Sequence, residues 1–284
     1  MRSLVAPMGD LVALRRRIGE LGPVVVAFSG GADSSLLAWV ANEVLGGEGA
    51  LVVTAVSASL APAELEDCRS LASEWGLNYS EVHSEEGARP GYIANGADRC
   101  WHCKDELMRC LLPLASSFGT ARVVLGVNVD DLGDHRPGQA AARDAGAVFP
   151  LLEAGFTKAD VRDVSRSLGL RTWDKPAAAC LASRVPYGTP VSLATLGSVA
   201  RAEAGLAALG FRALRVRHYG DLARVELPMA DLERAVALRE QVVQAVRAAG
   251  YRYVTLDLEG LRSGNLNSAL GLELVSTGDQ EVTS

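Results

Sequence analysis

Pro23-Val24-Val25-Val26-Ala27-Phe28-Ser29-Gly30-Gly31-Ala32-Asp33-Ser34-Ser35-Leu36-Leu37-Ala38-Trp39-Val40 is the stretch whose reading decides the fold. The unbroken apolar run at its start suits a strand buried on both faces. It stops at two glycines, which let the backbone turn tightly and aim successive N–H groups at one anion. A helical pattern follows, and its N-terminus adds a positive dipole at the same place. Ser29, Ser34 and Ser35 can donate hydroxyl hydrogen bonds, and Asp33 can hold a magnesium ion bridging phosphates. The Lys-Ser/Thr ending of a Walker A loop is missing, and the spacing is not the Gly-x-Gly-x-x-Gly of dinucleotide folds. The plain alternative is a glycine-rich turn that serves packing only.

Outward from this turn the chain keeps alternating. Residues 4–21 read as a helix, Ala50–Val56 as a second strand, and Pro62 opens a helix running to about Trp75. Asn78 to His83 is a third strand, and residues 84–99 read as a polar loop. A helix over about 103–118, a strand at 122–126, a helix near 139–145 and a short strand near 148–151 come next. Thr157 with Asp160 is a helix-start signal, with the helix ending at Leu168-Gly169. Strand and helix in alternation imply an α/β fold, a doubly wound parallel sheet covered on both faces. After the irregular segment 173–190 the pattern changes to helix (191–209), two strands pairing around Gly220, helix (229–249) and strand (251–258). That is a small α+β domain. The boundaries are set at 1–188, 189–265 and a flexible tail at 266–284.

Composition is ordinary for a globular chain of 284 residues, with 49% hydrophobic and 22% charged residues, and no apolar run is long enough for a membrane span. No signal peptide is recognisable, so a cytoplasmic setting is expected. A net charge of −6 argues against a large nucleic-acid footprint. Only Lys104, Lys158 and Lys175 are lysines among 28 basic residues. A chain that uses arginine nearly everywhere keeps lysine where a compact ammonium suits a phosphate, or does so by codon bias. Lys158 opens a helix, where a cation is unfavourable unless an anion sits there. Asn128, Asp130 and Asp131 follow a strand end, the place where such sheets bind ligands, although a turn and cap would use the same residues.

Five cysteines, Cys68, Cys100, Cys103, Cys110 and Cys180, are too few and too odd in number for a disulfide framework. Cys100 and Cys103 form a Cys-x-x-Cys, readable as a zinc half-site, a redox pair or coincidence. Together with Cys180 they would suit a 4Fe–4S cluster with one iron left open to carry sulfide. Lys175, Ser183 and Arg184 flank Cys180 in a proline-bounded loop, and positive charge there is expected to favour its thiolate. Cys68 and Cys110 lie on amphipathic helices and read as packing residues.

Ser29 to Ser34 resembles the PP-loop of ATP pyrophosphatases (adenine nucleotide alpha hydrolase-like), which cleave ATP between its α and β phosphates to adenylate a substrate. The Pro150-Leu151-Leu152, Lys158 and Leu168-Gly169-Leu170 segment is similar to their later phosphate-facing lysine region. A narrower resemblance is to the LarE family of ATP-dependent sulfur transferases, across nearly the whole chain. It rests on Phe28 to Ser34, Arg99 to Lys104, Gly126 to Asp134, Leu151 to Gly155, Lys175-Pro176, Cys180 to Thr189 and Arg215 to His218. The resemblance implies that ATP adenylates a carboxylate of pyridinium-3,5-biscarboxylic acid mononucleotide and that sulfur converts it to a thiocarboxylate, on the way to a nickel-pincer cofactor. Some members sacrifice the sulfur of the cysteine matching Cys180; others use three cysteines and an iron–sulfur cluster. This chain matches the three-cysteine kind. Ser29, Gly30, Gly31, Ser34, Lys158 and Asn128 are then expected at ATP and pyrophosphate, with Asp33 on magnesium. Lys104, Ser183, Arg184, Glu203 and Arg215 are expected on the substrate side, each of the last two being equally readable as a member of an ordinary surface ion pair. A homo-oligomer, a hexamer by resemblance, and a small-molecule rather than nucleic-acid or membrane partner complete the expectation.

Rival readings remain. A tRNA thiolase needs a basic surface, and an amide-forming ligase does not need three such cysteines. A nitrile synthase needs a fuller zinc set. A nucleotide or iron–sulfur binding protein without turnover would bind ATP and release no pyrophosphate.

Overall fold

The computed structural model describes residues 10–262 apart from Thr120, 134–136 and 177–178. The expected first turn of the opening helix, Asp134 and the tail from residue 266 lie outside the described residues.

The chain divides into two units, one running to Ala182 and including Pro190–Gly197, the other made of Ser183–Thr189 and the chain from Ser198 on. In the first unit the order is α1 (Leu11–Leu21), β1 (Val24–Ala27), α2 (Ala32–Gly49), β2 (Ala50–Val56), α3 (Pro62–Glu74), β3 (Tyr79–His83), α4 (Pro90–Ile93), α5 (Arg99–Ser117), β4 (Arg122–Val124), α6 (Pro137–Asp144), α7 (Pro150–Glu153) and α8 (Lys158–Ser167). The four strands are parallel in the order β3-β2-β1-β4. Side chains on a strand alternate, so Val24, Val26 and Val52 enter one core with Leu14, Leu36, Cys68, Leu71 and Val161. Val25, Val53 and Val123 enter another with Met108, Leu111 and Phe149. Helices cover both faces, as a purely parallel sheet requires. Among the described residues no helix is long and apolar enough to cross a membrane.

Three local expectations need correction. The strand expected at 148–151 is a single parallel bridge, Val124 with Val148, because Pro150 opens α7 instead. The polar loop at 84–99 contains a 3-10 turn at Glu86–Ala88 and α4. The helix expected from residue 103 starts at Arg99. Burial of Arg99 draws the chain into helix early, and both Cys100 and Cys103 therefore sit on the first turns of α5.

The second unit holds the three-stranded sheet β5 (Arg215–Tyr219), β6 (Leu222–Glu226) and β7 (Tyr253–Leu256). α9 (Leu193–Ala208) precedes it; α10 (Leu232–Ala237) and α11 (Arg239–Ala248) stand where one helix over 229–249 was expected, divided at Leu238. β5 and β6 are antiparallel around Gly220, whose φ of 63° suits the tight turn, and β7 returns parallel to β6. Ala202, Leu206, Phe211, Val216, Val225, Val242 and Val246 form its core.

Candidate active site

The turn after β1 is held by its own serines. Ser29 N donates to Ser34 Oγ at 3.3 Å, the two hydroxyls are 3.1 Å apart, and Ser34 Oγ donates to the Gly31 carbonyl at 3.1 Å. Gly30 has φ of 67°, which side chains rarely adopt, and a Cβ there would stand 3.0 Å from Cys68 Sγ. Gly31 is the N-cap of α2 and contributes no side-chain cap, so the first N–H groups of that helix are left for an anion. Gly126, after β4, passes so close that a Cβ would lie 2.9 Å from Asp33 C and Ser34 N.

Asp33 is where distant segments meet. Asn128, almost fully buried, donates from Nδ2 to Asp33 Oδ1 at 3.0 Å, and Lys158 Nζ donates to Asp33 Oδ2. The Lys158 N–H donates to Asp130 Oδ2 at 2.7 Å, and Asp131 Oδ2 accepts from Asn128 N at 3.1 Å. Thr157 and Asp160 close a capping box at the start of α8. Lys158, at the start of α8, thus has the carboxylate of Asp33 beside it.

The cysteines gather in the same unit. Cys100 and Cys180 are exposed and Cys103 partly covered, and all five cysteines are unbridged. Burial pushes the Cys103 thiol up to about 12; Lys104 opposes this, while the charges of Cys180, Glu86 and Cys100 add to it. Buried Arg99, one residue before Cys100, donates from one nitrogen to Asn95 Oδ1 at 2.7 Å and to the Ala182 carbonyl at 2.8 Å. Asn95 is the one described non-glycine residue with positive φ, at 55°. Leu181 N donates to the Ser59 carbonyl at 2.9 Å. The segment carrying Cys180 is therefore fastened both to the start of α5 and to the loop after β2. β2 neighbours β1, and both loops leave the carboxyl edge of a parallel sheet. That edge is the ligand-binding edge of such folds.

The cations that flank Cys180 in the sequence have acidic partners of their own. Lys175 Nζ bonds Glu64 and Asp67, and Arg184 makes a bidentate pair with Glu203 at 2.8 and 3.2 Å. Among the described residues no three His, Cys, Asp or Glu side chains converge as a metal site. Lys104 packs its stem at Gly138, where a Cβ would meet Lys104 Cγ and the Cys100 carbonyl at 2.7 Å.

The second unit has its own arginine group. Arg184 also donates to Ser183 Oγ, and Glu203 accepts from Val216 N at 2.9 Å. Arg217 makes a bidentate pair with fully buried Glu226 and grips the Ser183 carbonyl at 2.7 Å. Arg215 is held below the ordinary arginine range by burial, then by the charges of Arg184 and Arg217. Glu203 is held in an ion pair with Arg184, whereas Arg215 donates to the Arg262 carbonyl at 3.1 Å. With Arg224, which shares Glu226 and pairs with Asp257, four guanidiniums stand against three carboxylates. Arg217 and Glu226 were not singled out from sequence, although Arg215 and Arg217, two apart on a strand, share a face.

Comparison with known proteins identifies the family. A family model for NAD synthase matches residues 14–90, the part with the phosphate turn. The chain is 37% identical over 270 residues to the pyridinium-3,5-bisthiocarboxylic acid mononucleotide synthase of Lactiplantibacillus plantarum, covering 95% of this chain and 97% of that one. The chain belongs to the LarE family. Members of the LarE family are sulfur transferases of the PP-loop ATP pyrophosphatase group. It is also 46% identical over 259 residues to an uncharacterized protein of Synechocystis sp., covering 90% of this chain and 96% of the relative. An uncharacterized protein of Methanocaldococcus jannaschii is 25% identical over 240 residues, 84% of this chain and 91% of that one.

Proposed function

We propose that this enzyme uses ATP to adenylate a carboxylate of pyridinium-3,5-biscarboxylic acid mononucleotide and replaces the adenylate by sulfur. One round would give a thiocarboxylate, and conversion of both carboxylates would give the pyridinium-3,5-bisthiocarboxylic acid mononucleotide for which the relative from Lactiplantibacillus plantarum is named; in this reading the product lies on the way to a nickel-pincer nucleotide. The observation that carries this reading is the fastening of the Cys180 segment at the carboxyl edge of the sheet, beside the loop that follows the strand next to the phosphate turn.

The chemistry follows from the groups at hand. A carboxylate is a poor acyl donor because oxide would have to leave. Its oxygen attacks the α phosphorus of ATP, the bond from that phosphorus to the bridging oxygen breaks, and pyrophosphate departs. Gly30, Gly31 and the hydroxyls of Ser29 and Ser34 receive that pyrophosphate, and Lys158 neutralises it. Asp33, with Asn128 orienting one of its oxygens, would hold magnesium, which would add positive charge at the phosphates, and Lys158, now on Asp33, lies within the same site to serve a phosphate. A sulfur nucleophile then attacks the acyl carbon and AMP leaves. In the second unit Arg184, Arg215 and Arg217 with Ser183 offer a positive surplus to a phosphate or carboxylate of the substrate, while Glu203 keeps Arg184 in its bidentate pose. Lys104 lends its charge to the Cys103 neighbourhood. Assembly into a homo-oligomer through the small domain is part of the same reading and is measurable by light scattering.

For the sulfur source, Cys100, Cys103 and Cys180 fit a 4Fe–4S cluster in donor type and number, and two of them are exposed. Such a cluster would supply a sulfide to the activated acyl group. The test is turnover under anaerobic conditions with ATP, magnesium and the biscarboxylate mononucleotide, with iron, sulfide and intact mass measured before and after. Pyrophosphate release, a thiocarboxylate product and protein of unchanged mass are expected. A colourless, iron-free protein that loses hydrogen sulfide from Cys180 on turnover overturns the cluster; absence of pyrophosphate release overturns the adenylation.

A further inference from the structure

Lys175 is the one lysine that the proposed mechanism leaves without a task, and its surroundings are unusual for a structural ion pair. Its Nζ lies 2.7 Å from Glu64 Oε2 and 2.7 Å from Asp67 Oδ2, both on α3. The same Nζ stands 3.6 Å from the position a Cβ would take on Gly30, so the ammonium rests against the phosphate turn itself. The side chain is only 17% exposed. Burial by itself lowers its pKa, yet the hydrogen bonds to Asp67 and Glu64 outweigh that and raise it, so the charge is kept. Two carboxylates hold one ammonium, with Arg171 as a further cation on Asp67 that also serves Glu74. An ammonium has three hydrogens, and the clamp accounts for two of them. Lys158 repeats the arrangement on Asp33. Two of the chain's three lysines thus sit beside the turn with their charges taken by acids.

We propose that Glu64 and Asp67 form an acidic clamp that holds Lys175 off the nucleotide, and that ATP binding draws the Lys175 ammonium from the clamp onto its phosphates. The inference rests on the ATP reading above and adds a cost to binding that the acids set. A clamped lysine keeps the turn's neighbourhood from presenting a bare cation to every passing anion. A polyphosphate, with several negative oxygens and the turn's N–H groups already on it, competes with the two carboxylates where a single small anion does not. Release also leaves Glu64 and Asp67 less compensated, so part of the gain at the phosphates is given back and the nucleotide is held less tightly than the turn alone would allow.

The clamp has a signature opposite in sign to an ordinary structural pair. Magnesium-ATP affinity is measured by calorimetry on the full-length protein for wild type, Glu64→Gln, Asp67→Asn and Lys175→Met, and for each acid variant combined with Lys175→Met, with circular dichroism to check folding. Glu64→Gln and Asp67→Asn are expected to tighten ATP binding by about fivefold or more, and Lys175→Met to weaken it by about tenfold. In the Lys175→Met background the same acid substitutions, left with only the relief of repulsion, are expected to tighten binding by less than half as many fold as in the wild-type background. Lys175→Gln replaces Lys175→Met if the latter does not fold. Acid variants that bind ATP more weakly or need more magnesium would make Glu64 and Asp67 metal ligands and overturn the clamp. Equal tightening with and without Lys175 would reduce the effect to diffuse repulsion and overturn it too. Wild-type protein that binds no ATP overturns the nucleotide reading and the clamp together; normal wild-type binding with unchanged acid variants overturns the clamp alone.

Discussion

The phosphate turn and the cysteine group lie in the same unit and are built on opposite principles. Around the turn, charges are already balanced: Lys158 rests on Asp33 and Lys175 on Glu64 and Asp67, while the backbone is fixed by serine hydroxyls and closely packed glycines. At the cysteines, backbone anchoring is as strong but the reactive groups are not matched. Arg99 and Ser59 hold the chain, whereas Cys103 is kept as a thiol by burial and no metal geometry is present among the described residues. Preorganised electrostatics do most where charge develops in the reaction, which is at the departing pyrophosphate. The sulfur side needs mainly position, and its activation has to come with its cargo or its substrate.

The largest effect that separates the two regions is expected from Asp33→Asn. It removes the magnesium carboxylate and leaves Lys158 without its acid, so ATP-dependent pyrophosphate release should fall by about 10²- to 10³-fold. Circular dichroism should show the fold retained; activity within a factor of two of wild type would break the assignment of the turn. Arg99→Met should act on the other region. It removes a donor from buried Asn95 Oδ1 and from the Ala182 carbonyl, costing about 2 kcal/mol of stability in denaturant melts. Thiocarboxylate formation should drop about tenfold or more while pyrophosphate release stays within about twofold, since misplacing a nucleophile costs rate without touching the turn. Equal losses of both would show that the regions are not separable.

The phosphate turn was legible in the sequence because everything it needs is contiguous: strand, two glycines, acid, serine, helix. The doubly wound sheet followed from alternation and from the apolar runs. The start of α5 was not legible, since its cause is Arg99 reaching Ala182, 83 residues away. The same holds for the partners of Lys175 and Arg184. Neither motif spacing nor helical periodicity says which carboxylate a lysine will meet. Arg217 could have been read from its alternation with Arg215, but Glu226 shows no pattern until β5 and β6 are paired.

Smaller effects sharpen the contrast. In iron-free protein, with its thiol pushed up to about 12, Cys103 should react slowly with iodoacetamide at neutral pH. Its rate should climb about tenfold per pH unit through pH 10, where an ordinary thiol near 8.5 has levelled off. Peptide mass spectrometry after timed labelling checks this, and a plateau by about pH 9 contradicts it. Thr157→Ala removes the cap of the helix that presents Lys158 and should cost about 1 kcal/mol in a urea melt, with a modest rise in the KM for ATP. No change in either would detach α8 from the nucleotide site.

The most direct measurement is a single turnover of Cys180→Ala with ATP, magnesium and the biscarboxylate mononucleotide, following pyrophosphate and product mass together. The account predicts pyrophosphate and an accumulating acyl adenylate with no thiocarboxylate. Thiocarboxylate formed at the wild-type rate would contradict it.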